Sequence, residues 1–214
     1  MFGEDMINDV LKYAYNMRVE DADSVRRGRV LNYLQDTYDI LWFMREWTFS
    51  FKEAPITLVA GVGTLPTDFL EIGSMGGLYD SNGVKLEEVV FPQLKSRLIK
   101  GDQESPPGEF AIFSNSSTGA LEIRTLGSAE TLHLHYRRIS DTLVDDGITV
   151  PIMPGQYHTT VLIPGAIVSV GESLGDPRSD FQKTYEVGLR NMITVSRPRK
   201  TSIQKMPRFV SGMW

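Results

Sequence analysis

The 214-residue chain contains no cysteine, which excludes several kinds of chemistry at once. Disulfide bonds, thiolate catalysis and cysteine-ligated zinc sites all need that side chain. Only three histidines are present, and the sequence has no Gly-x-Ser-x-Gly elbow and no phosphate-binding loop. We therefore expect a protein that is not an enzyme and that uses no metal and no cofactor.

Long hydrophobic runs are also missing. The apolar stretch at 160–168 is interrupted by Pro164 and Gly165, and it is too short to cross a bilayer. The N-terminus contains Glu4 and Asp5 and does not resemble a secretory signal. We expect the stretch at 160–168 to form a buried helix, and we expect no membrane partner.

Charge is distributed unevenly along the chain. The net charge is −5, yet six basic residues and no acidic residue follow Glu186, which leaves −11 for the part up to Glu186. The basic end also contains apolar residues, among them Phe209 and Trp214. Such a segment can contact nucleic-acid phosphates or dock on a protein partner. The apolar residues favour docking, because aromatic anchors are typical of protein interfaces.

The spacing of apolar residues predicts helices near both ends of the sequence. Apolar residues recur three and four positions apart in 4–18 and again from Asp23, a suitable N-cap, to about residue 45. Two further helices are expected at 157–174 and 178–196. A glycine stop and a proline start separate these two helices.

The middle of the chain has the patterns of β-structure. Trp47, Phe49 and Phe51 alternate with polar residues, which predicts a strand with one buried face. The Asn-Gly pair at 82–83 predicts a hairpin between strands at 70–79 and 84–90. A three-strand meander is expected from strands at 109–114, 120–126 and 130–138.

These elements predict an α+β fold: a helical bundle formed by N- and C-terminal helices, with an inserted antiparallel β-domain. The expected parts are N-terminal helices at 1–47, a β-rich domain at 48–156, C-terminal helices at 157–197 and an extended basic tail at 198–214. The tail has little periodicity and no acidic residue, so we expect it to order on a partner.

Two groups of residues have the chemistry of metal ligands. His133 and His135 share one face of a predicted strand, but no third ligand is evident, so a structural role is favoured. Asp141, Asp145 and Asp146 can bind a hard cation through oxygen atoms. They lack the ligand spacing of a calcium loop, which favours a solvated turn.

Two other patterns carry weaker signals. Glu71, Glu87 and Glu88 have the residue type that glycoside hydrolysis needs, but pairs of carboxylates occur on almost any acidic surface. The segment 73–77 is rich in glycine, yet it lacks the glycine and lysine positions of a phosphate loop. It is better interpreted as a bulge or bend.

A group of aromatic residues spans the end of the second predicted helix and the following strand. Such residues can stack on bases or sugars. Their position favours a core that joins the helical and β layers. The group consists of Trp42, Phe43, Trp47, Phe49 and Phe51.

The order of these segments resembles the head-to-tail adaptor, or connector, proteins of tailed bacteriophages. The resemblance covers nearly all of the chain, and none of its motifs is a catalytic signature. It rests on the helical start leading to Trp47-Thr48-Phe49, the turn into 65–70, the hairpin at Asn82-Gly83, the loop at 106–108, the strand ending at 135–137 and the helix pair at 158–196.

The resemblance implies a structural protein of the virion, assembled in the host cytoplasm. Members of the family form a ring, commonly of twelve copies, beneath the portal, and the DNA passes through it without sequence-specific binding. The implied partners are the portal protein, copies of the chain itself and a tail nozzle or tail-tube protein. Portal docking is expected at Arg197, Arg199, Lys200, Lys205, Arg208, Phe209 and Trp214.

Other functions stay open at this point. The nearest is another ring of the same assembly, a tail-tube or stopper component. A second is a glycan-binding or hydrolytic β-domain of a tail that uses tryptophan and acidic residues. A third is an accessory DNA-binding protein, whose binding to duplex DNA would depend steeply on salt and on the basic tail.

Overall fold

A computed structural model describes residues 1–104, 107–127 and 131–195. Within these residues the chain forms five α-helices and two four-stranded sheets, so the predicted α+β class is confirmed. No helix in the described ranges is long and apolar enough to cross a membrane. The helices are α1 (Gly3–Tyr15), α2 (Ser24–Met44), α3 (Phe91–Lys100), α4 (Ile163–Leu174) and α5 (Ser179–Val195).

Four of the helices pack around one hydrophobic core. Helix α4 contacts α1, α2 and α5. Its N-terminal half is buried, as are His158, Val161 and Leu162 of the π-helix His158–Leu162 that leads into it, which confirms a buried helix within the predicted range 160–168. The core also takes the apolar stripes of α1 and α2, and its fully buried members include Met6, Leu11, Leu34, Trp42 and Ile167.

The ends of these helices follow from local chemistry. Helix α1 stops three residues before the predicted end, because Asn16 has a left-handed backbone with φ of 49°. Asp23 caps α2 as predicted, with its carboxylate accepting a hydrogen bond from the Arg26 amide at 2.7 Å. Gly175, with φ of 69°, ends α4.

The two sheets pack face to face. One contains β1 (Phe51–Thr57), β3 (Phe69–Glu71), β4 (Gly77–Tyr79) and β8 (Thr131–Arg138), with β8 paired to all three others. The other has the order β2 (Val62–Thr64), β7 (Leu121–Thr125), β6 (Glu109–Ser114) and β5 (Glu87–Glu88). Side chains from both sheets form a second core that includes Leu78, Phe110, Ile123, Leu132 and Leu134. A small third core lies under α3.

The predicted three-strand meander is wrong. Strands β6 and β7 pair antiparallel as expected, but β8 pairs with β1, from Phe51 opposite Arg137 to Thr57 opposite Thr131. Burial of Leu132, Leu134 and Tyr136 explains the alternation of β8. That alternation shows which face of a strand is buried, but not which neighbour the strand takes.

The predicted strand from Trp47 begins four residues later than expected. Residues Thr48–Ser50 form a turn of 3₁₀-helix, and the Ser50 hydroxyl donates to the Trp47 carbonyl at 2.7 Å. The Trp47 and Phe49 rings stack with their centroids 5.8 Å apart. The two aromatic side chains alternate with polar residues because the turn packs them into the helical core, not because the segment is extended.

The chain reverses at Asn82-Gly83, as predicted. The buried Asp80 carboxylate accepts hydrogen bonds from the amides of Asn82 and Val84 at 2.9 and 2.7 Å, and Gly83 has φ of 78°. The long flanking strands are not present. Beyond a bridge between Tyr79 and Lys85, the chain continues into β5, which pairs parallel with β6.

Candidate functional site

The residues predicted to dock on the portal lie outside the described part of the chain. All of them follow Val195, the end of α5 and the last residue before the undescribed range 196–214. Their docking role therefore stays a prediction. They are Arg197, Arg199, Lys200, Lys205, Arg208, Phe209 and Trp214.

His133 and His135 lie on the same outer face of β8, as their spacing predicts. The His133 Nδ1 atom is 3.5 Å from the Glu53 carboxylate, and the His135 ring packs on Phe51. Both line a shallow concavity of about 420 Å³. The third histidine, His158, is buried in the helical core, and the described residues contain no cluster of three or more metal-ligating side chains.

The three aspartates lie in the loop that follows β8, and one of them holds this loop against α2. Asp145 accepts two hydrogen bonds from Arg27 of α2, at 2.6 and 2.8 Å. Asp146 accepts from the Thr149 amide and hydroxyl, and this amide contact is the main reason that its pKa is lowered. Burial raises the pKa of Asp141, which accepts from the Ile152 amide at 3.3 Å. All three carboxylates thus accept hydrogen bonds from other groups of the protein.

The weaker acidic and glycine-rich patterns have structural roles. Glu71 binds Arg137 at 2.7 Å, whereas Glu87 and Glu88 are exposed on β5 of the other sheet. The segment 73–77 is a bend between β3 and β4, as predicted. A Cβ atom at Gly76 would lie 2.5 Å from the carbonyl oxygen of His135, so glycine allows the bend to approach β8.

Most of the aromatic group forms the junction between the helical core and the sheets. Trp42 and Trp47 are fully buried, and both rings contact Phe49. The Trp42 Nε1 group donates to the carbonyl of Arg138 on β8 at 2.9 Å. These residues confirm the predicted core. Phe43 and Phe51 are exceptions, because 56% of the Phe43 surface is exposed and Phe51 packs on His135 at the outer face of β8.

Arg137 is a second link between the helices and the sheets, and the sequence patterns did not reveal it. Its side chain on β8 is only 7% exposed. The guanidinium donates to Glu71 at 2.7 Å, to the Arg45 carbonyl at 3.1 Å and to the Trp42 carbonyl. Carbonyls at the end of a helix lack partners within it, so a buried cation stabilises this end of α2.

A third link joins the bend at 73–77 to the residues that follow α2. The Ser74 amide donates to the Glu46 carboxylate at 3.0 Å, and the Ser74 hydroxyl donates to it at 2.5 Å. These hydrogen bonds lower the pKa of Glu46, because they stabilise the charged carboxylate. The end of α2 is therefore fixed to both β8 and the β3–β4 connection.

The solvent face of α2 carries a row of apolar side chains, here called the α2 patch. It consists of Ile40, Phe43 and Met44, which are 62%, 56% and 45% exposed. The exposed Asp36 lies one turn earlier on the same face. Apolar residues grouped in this way are typical of surfaces that contact another macromolecule.

A groove of about 530 Å³, here called the α5 groove, runs between α5 and the residues that lead into α4. Its lining is mainly apolar, and Lys183 lies along it. A Cβ atom at Gly188 would be 2.1 Å from the carbonyl oxygen of Thr160, so glycine is needed for the close approach. Other lining residues are Tyr157, Val187, Asn191 and Val195.

No protein-family model matches the chain, and no curated protein matches it.

Proposed function

We propose that the protein is a head-to-tail adaptor of a tailed bacteriophage. In this role it is a structural virion protein whose copies, commonly twelve, form a ring between the portal and a tail nozzle or tail-tube protein. The DNA passes through the lumen, and no bond is made or broken. The proposal combines the order of segments in the sequence with the surfaces of the helical unit.

The observation that carries the proposal is the exposed apolar surface of the helices. The described helices already enclose one hydrophobic core, yet within the described part of the chain the α2 patch and the α5 groove leave further apolar area exposed. Burying such area is favourable, at about 25 cal/mol per Å² of apolar surface. A wall of helices packed on neighbouring copies in a ring would bury it.

The junction between helices and sheets also supports a structural role. Arg137 on β8 and Glu46 after α2 each make several hydrogen bonds across it, and Trp42 lies buried between the two parts. A connector must hold its contacts to two different partners at a fixed distance. A buried and hydrogen-bonded junction suits that requirement.

The charge distribution is compatible with a channel for DNA. The part of the chain up to Glu186 carries −11, and like charge keeps the phosphate backbone from adhering to a surface. The basic segment from Arg197 onward is the proposed contact with the portal.

The glycan-binding alternative has less support. It relied on tryptophan side chains that could stack on sugars, but Trp42 and Trp47 are fully buried. A tail-tube or stopper ring would use the same exposed helical surfaces as an adaptor. Only the identity of the partner separates these two proposals.

The test is a mass measurement of the purified protein, alone and mixed with the portal protein encoded near its gene. We expect a defined ring of the protein on the portal. A glycan array serves as the control, and an adaptor should give no signal on it. Absence of portal association under all conditions, together with glycan binding, would replace the adaptor proposal with the tail β-domain alternative.

A further inference from the structure

We infer that the α5 groove of one copy receives the α2 patch of a second copy. The inference deepens the proposed ring and rests on it, because it assigns the two surfaces through which neighbouring subunits join. The α2 patch and the α5 groove share no residue and lie on different helices. A contact between them is therefore head to tail, the type of contact that generates rings.

The shapes of the two surfaces are complementary. Ile40, Phe43 and Met44 lie three and four residues apart, so they project together from one side of α2. The α5 groove is concave, since Gly188 contributes no side chain to its floor. A row of apolar knobs on one helix entering a groove beside another is the ordinary geometry of helix packing.

The charges are complementary as well. Lys183 lies along the groove, and Asp36 lies one turn from Ile40 on the patch. Neither side chain has a hydrogen-bond or ion-pair partner recorded among the described residues. A patch seated in the groove with Asp36 toward Lys183 would pair the two charges. Two patches packed on each other would offer Asp36 no cation from the patch itself, which favours the groove as the partner of the patch.

The absence of native cysteine allows a direct test by disulfide cross-linking. One variant carries Ile40→Cys in the patch and the other carries Asn191→Cys in the groove. Both positions are exposed, and each variant has a single thiol. Under mild oxidation, we expect the mixed pair to form a disulfide at least about tenfold faster than either variant with itself, because the contact raises the effective concentration of the two thiols.

A matched pair controls for random collision. Val84 is 61% exposed on the β turn, close to the 62% of Ile40, and belongs to neither surface. Mixing Ile40→Cys with Val84→Cys should give only the slow rate. Equal rates for the Asn191→Cys and Val84→Cys mixtures would overturn the inference. The test uses no portal protein, so that result would leave the separate portal-binding measurement to decide the proposed function.

Two further substitutions test the chemistry of the contact. In the Ile40→Cys copy, Phe43→Asp should reduce cross-linking to the control rate. Val25→Asp, on the same helix and 63% exposed, should not reduce it.

A charge exchange tests the proposed pairing of Asp36 with Lys183. Asp36→Lys in the Ile40→Cys copy, or Lys183→Asp in the Asn191→Cys copy, should slow cross-linking, and combining the two should restore its rate. Failure of the combined exchange to restore the rate would contradict the proposed orientation.

Discussion

The guanidinium of Arg137, at one end of the pairing between β1 and β8, donates a hydrogen bond to the backbone carbonyl of Trp42 near the end of α2. The same guanidinium binds Glu71 on β3 and the carbonyl of Arg45. One buried side chain thus fixes a helix terminus to a sheet. Its loss should affect the whole fold more than the loss of any one of its partners.

Replacing Arg137 by methionine should destabilise the protein by about 2–3 kcal/mol, because the carbonyls of Trp42 and Arg45 lose a buried donor. Glu71→Gln is the matched control. Glu71 is 49% exposed, so its replacement should cost about 1 kcal/mol or less. Urea unfolding of both variants provides the comparison. Equal losses would show that the ion pair, and not the helix terminus, is the important contact.

Gly188→Ala should destabilise the protein by about 1–3 kcal/mol, because the added methyl group would meet the Thr160 backbone at 2.1 Å and push α5 outward. Gly28→Ala on α2 should have the opposite sign. No atom lies within 4 Å of its added Cβ, and alanine favours a helix by about 1 kcal/mol over glycine. Thermal unfolding of both variants measures the difference. A neutral Gly188→Ala would contradict the close approach of α5 to the π-helix.

Stability should fall as the pH is lowered through about 6.5, the ordinary pKa of histidine. Burial lowers the pKa of His158 in the folded protein, so the unfolded chain binds the proton more readily. The contribution of His158 to the free energy of unfolding is fully present above the unfolded pKa. It decreases between the unfolded and the folded pKa and does not change further below the folded one. The slope should not exceed about 1.4 kcal/mol per pH unit.

His158→Gln should flatten this part of the profile of unfolding free energy against pH. Its Nε2 atom contacts the Met153 carbonyl at 2.7 Å, and glutamine retains a donor. A slope that survives in His158→Gln would assign the titration to another group.

Removal of the residues after Ser196 should abolish binding to the portal protein and leave the folded part intact. The last described helix ends at Val195, so the cut keeps every described residue of the two main cores. Circular dichroism checks the fold, and co-sedimentation with the portal checks docking. Unchanged portal binding would show that the basic segment is not the portal-docking segment.

A second pair of variants separates the two interpretations of that segment. Exchange of Phe209 and Trp214 for alanine should weaken portal docking, because aromatic anchors contribute most of the binding energy in many interfaces. Exchange of Arg197, Arg199 and Lys200 for glutamine should mainly change the salt dependence of binding. If only the basic variant loses binding, and duplex DNA competes with the portal for the basic segment, the result would favour the nucleic-acid interpretation over protein docking.

The helices could be predicted because their signals are local. Apolar spacing, the Asp23 cap and the Gly175 stop all act within a few residues, and α1, α2, α4 and α5 lie close to the predicted ranges. Strand partners are not local. The alternation in β8 is the same whether it pairs with β7 or with β1, and only packing of the two sheets decides.

The candidate surfaces were harder to predict for the same reason. Phe43 was assigned to the junction core with its aromatic neighbours, yet it follows Trp42 by one residue. One helical step rotates a side chain by about 100°, which turns Phe43 to solvent. The role of Arg137 depends on the end of α2 lying against β8. The spacing of residues in the sequence does not predict that contact.

The pairing of β1 with β8 has a consequence for how the chain folds. Nearly the entire β-rich segment lies between these two strands in sequence, and the helical core likewise needs α4 and α5 to cover α1 and α2. During synthesis α1 and α2 are made before α4 and α5, so their apolar stripes are accessible to chaperones or to other nascent chains until the later helices pack on them. Such non-local closure slows folding, so the yield of soluble protein should depend on temperature and expression rate more strongly than for a bundle of sequentially packed helices.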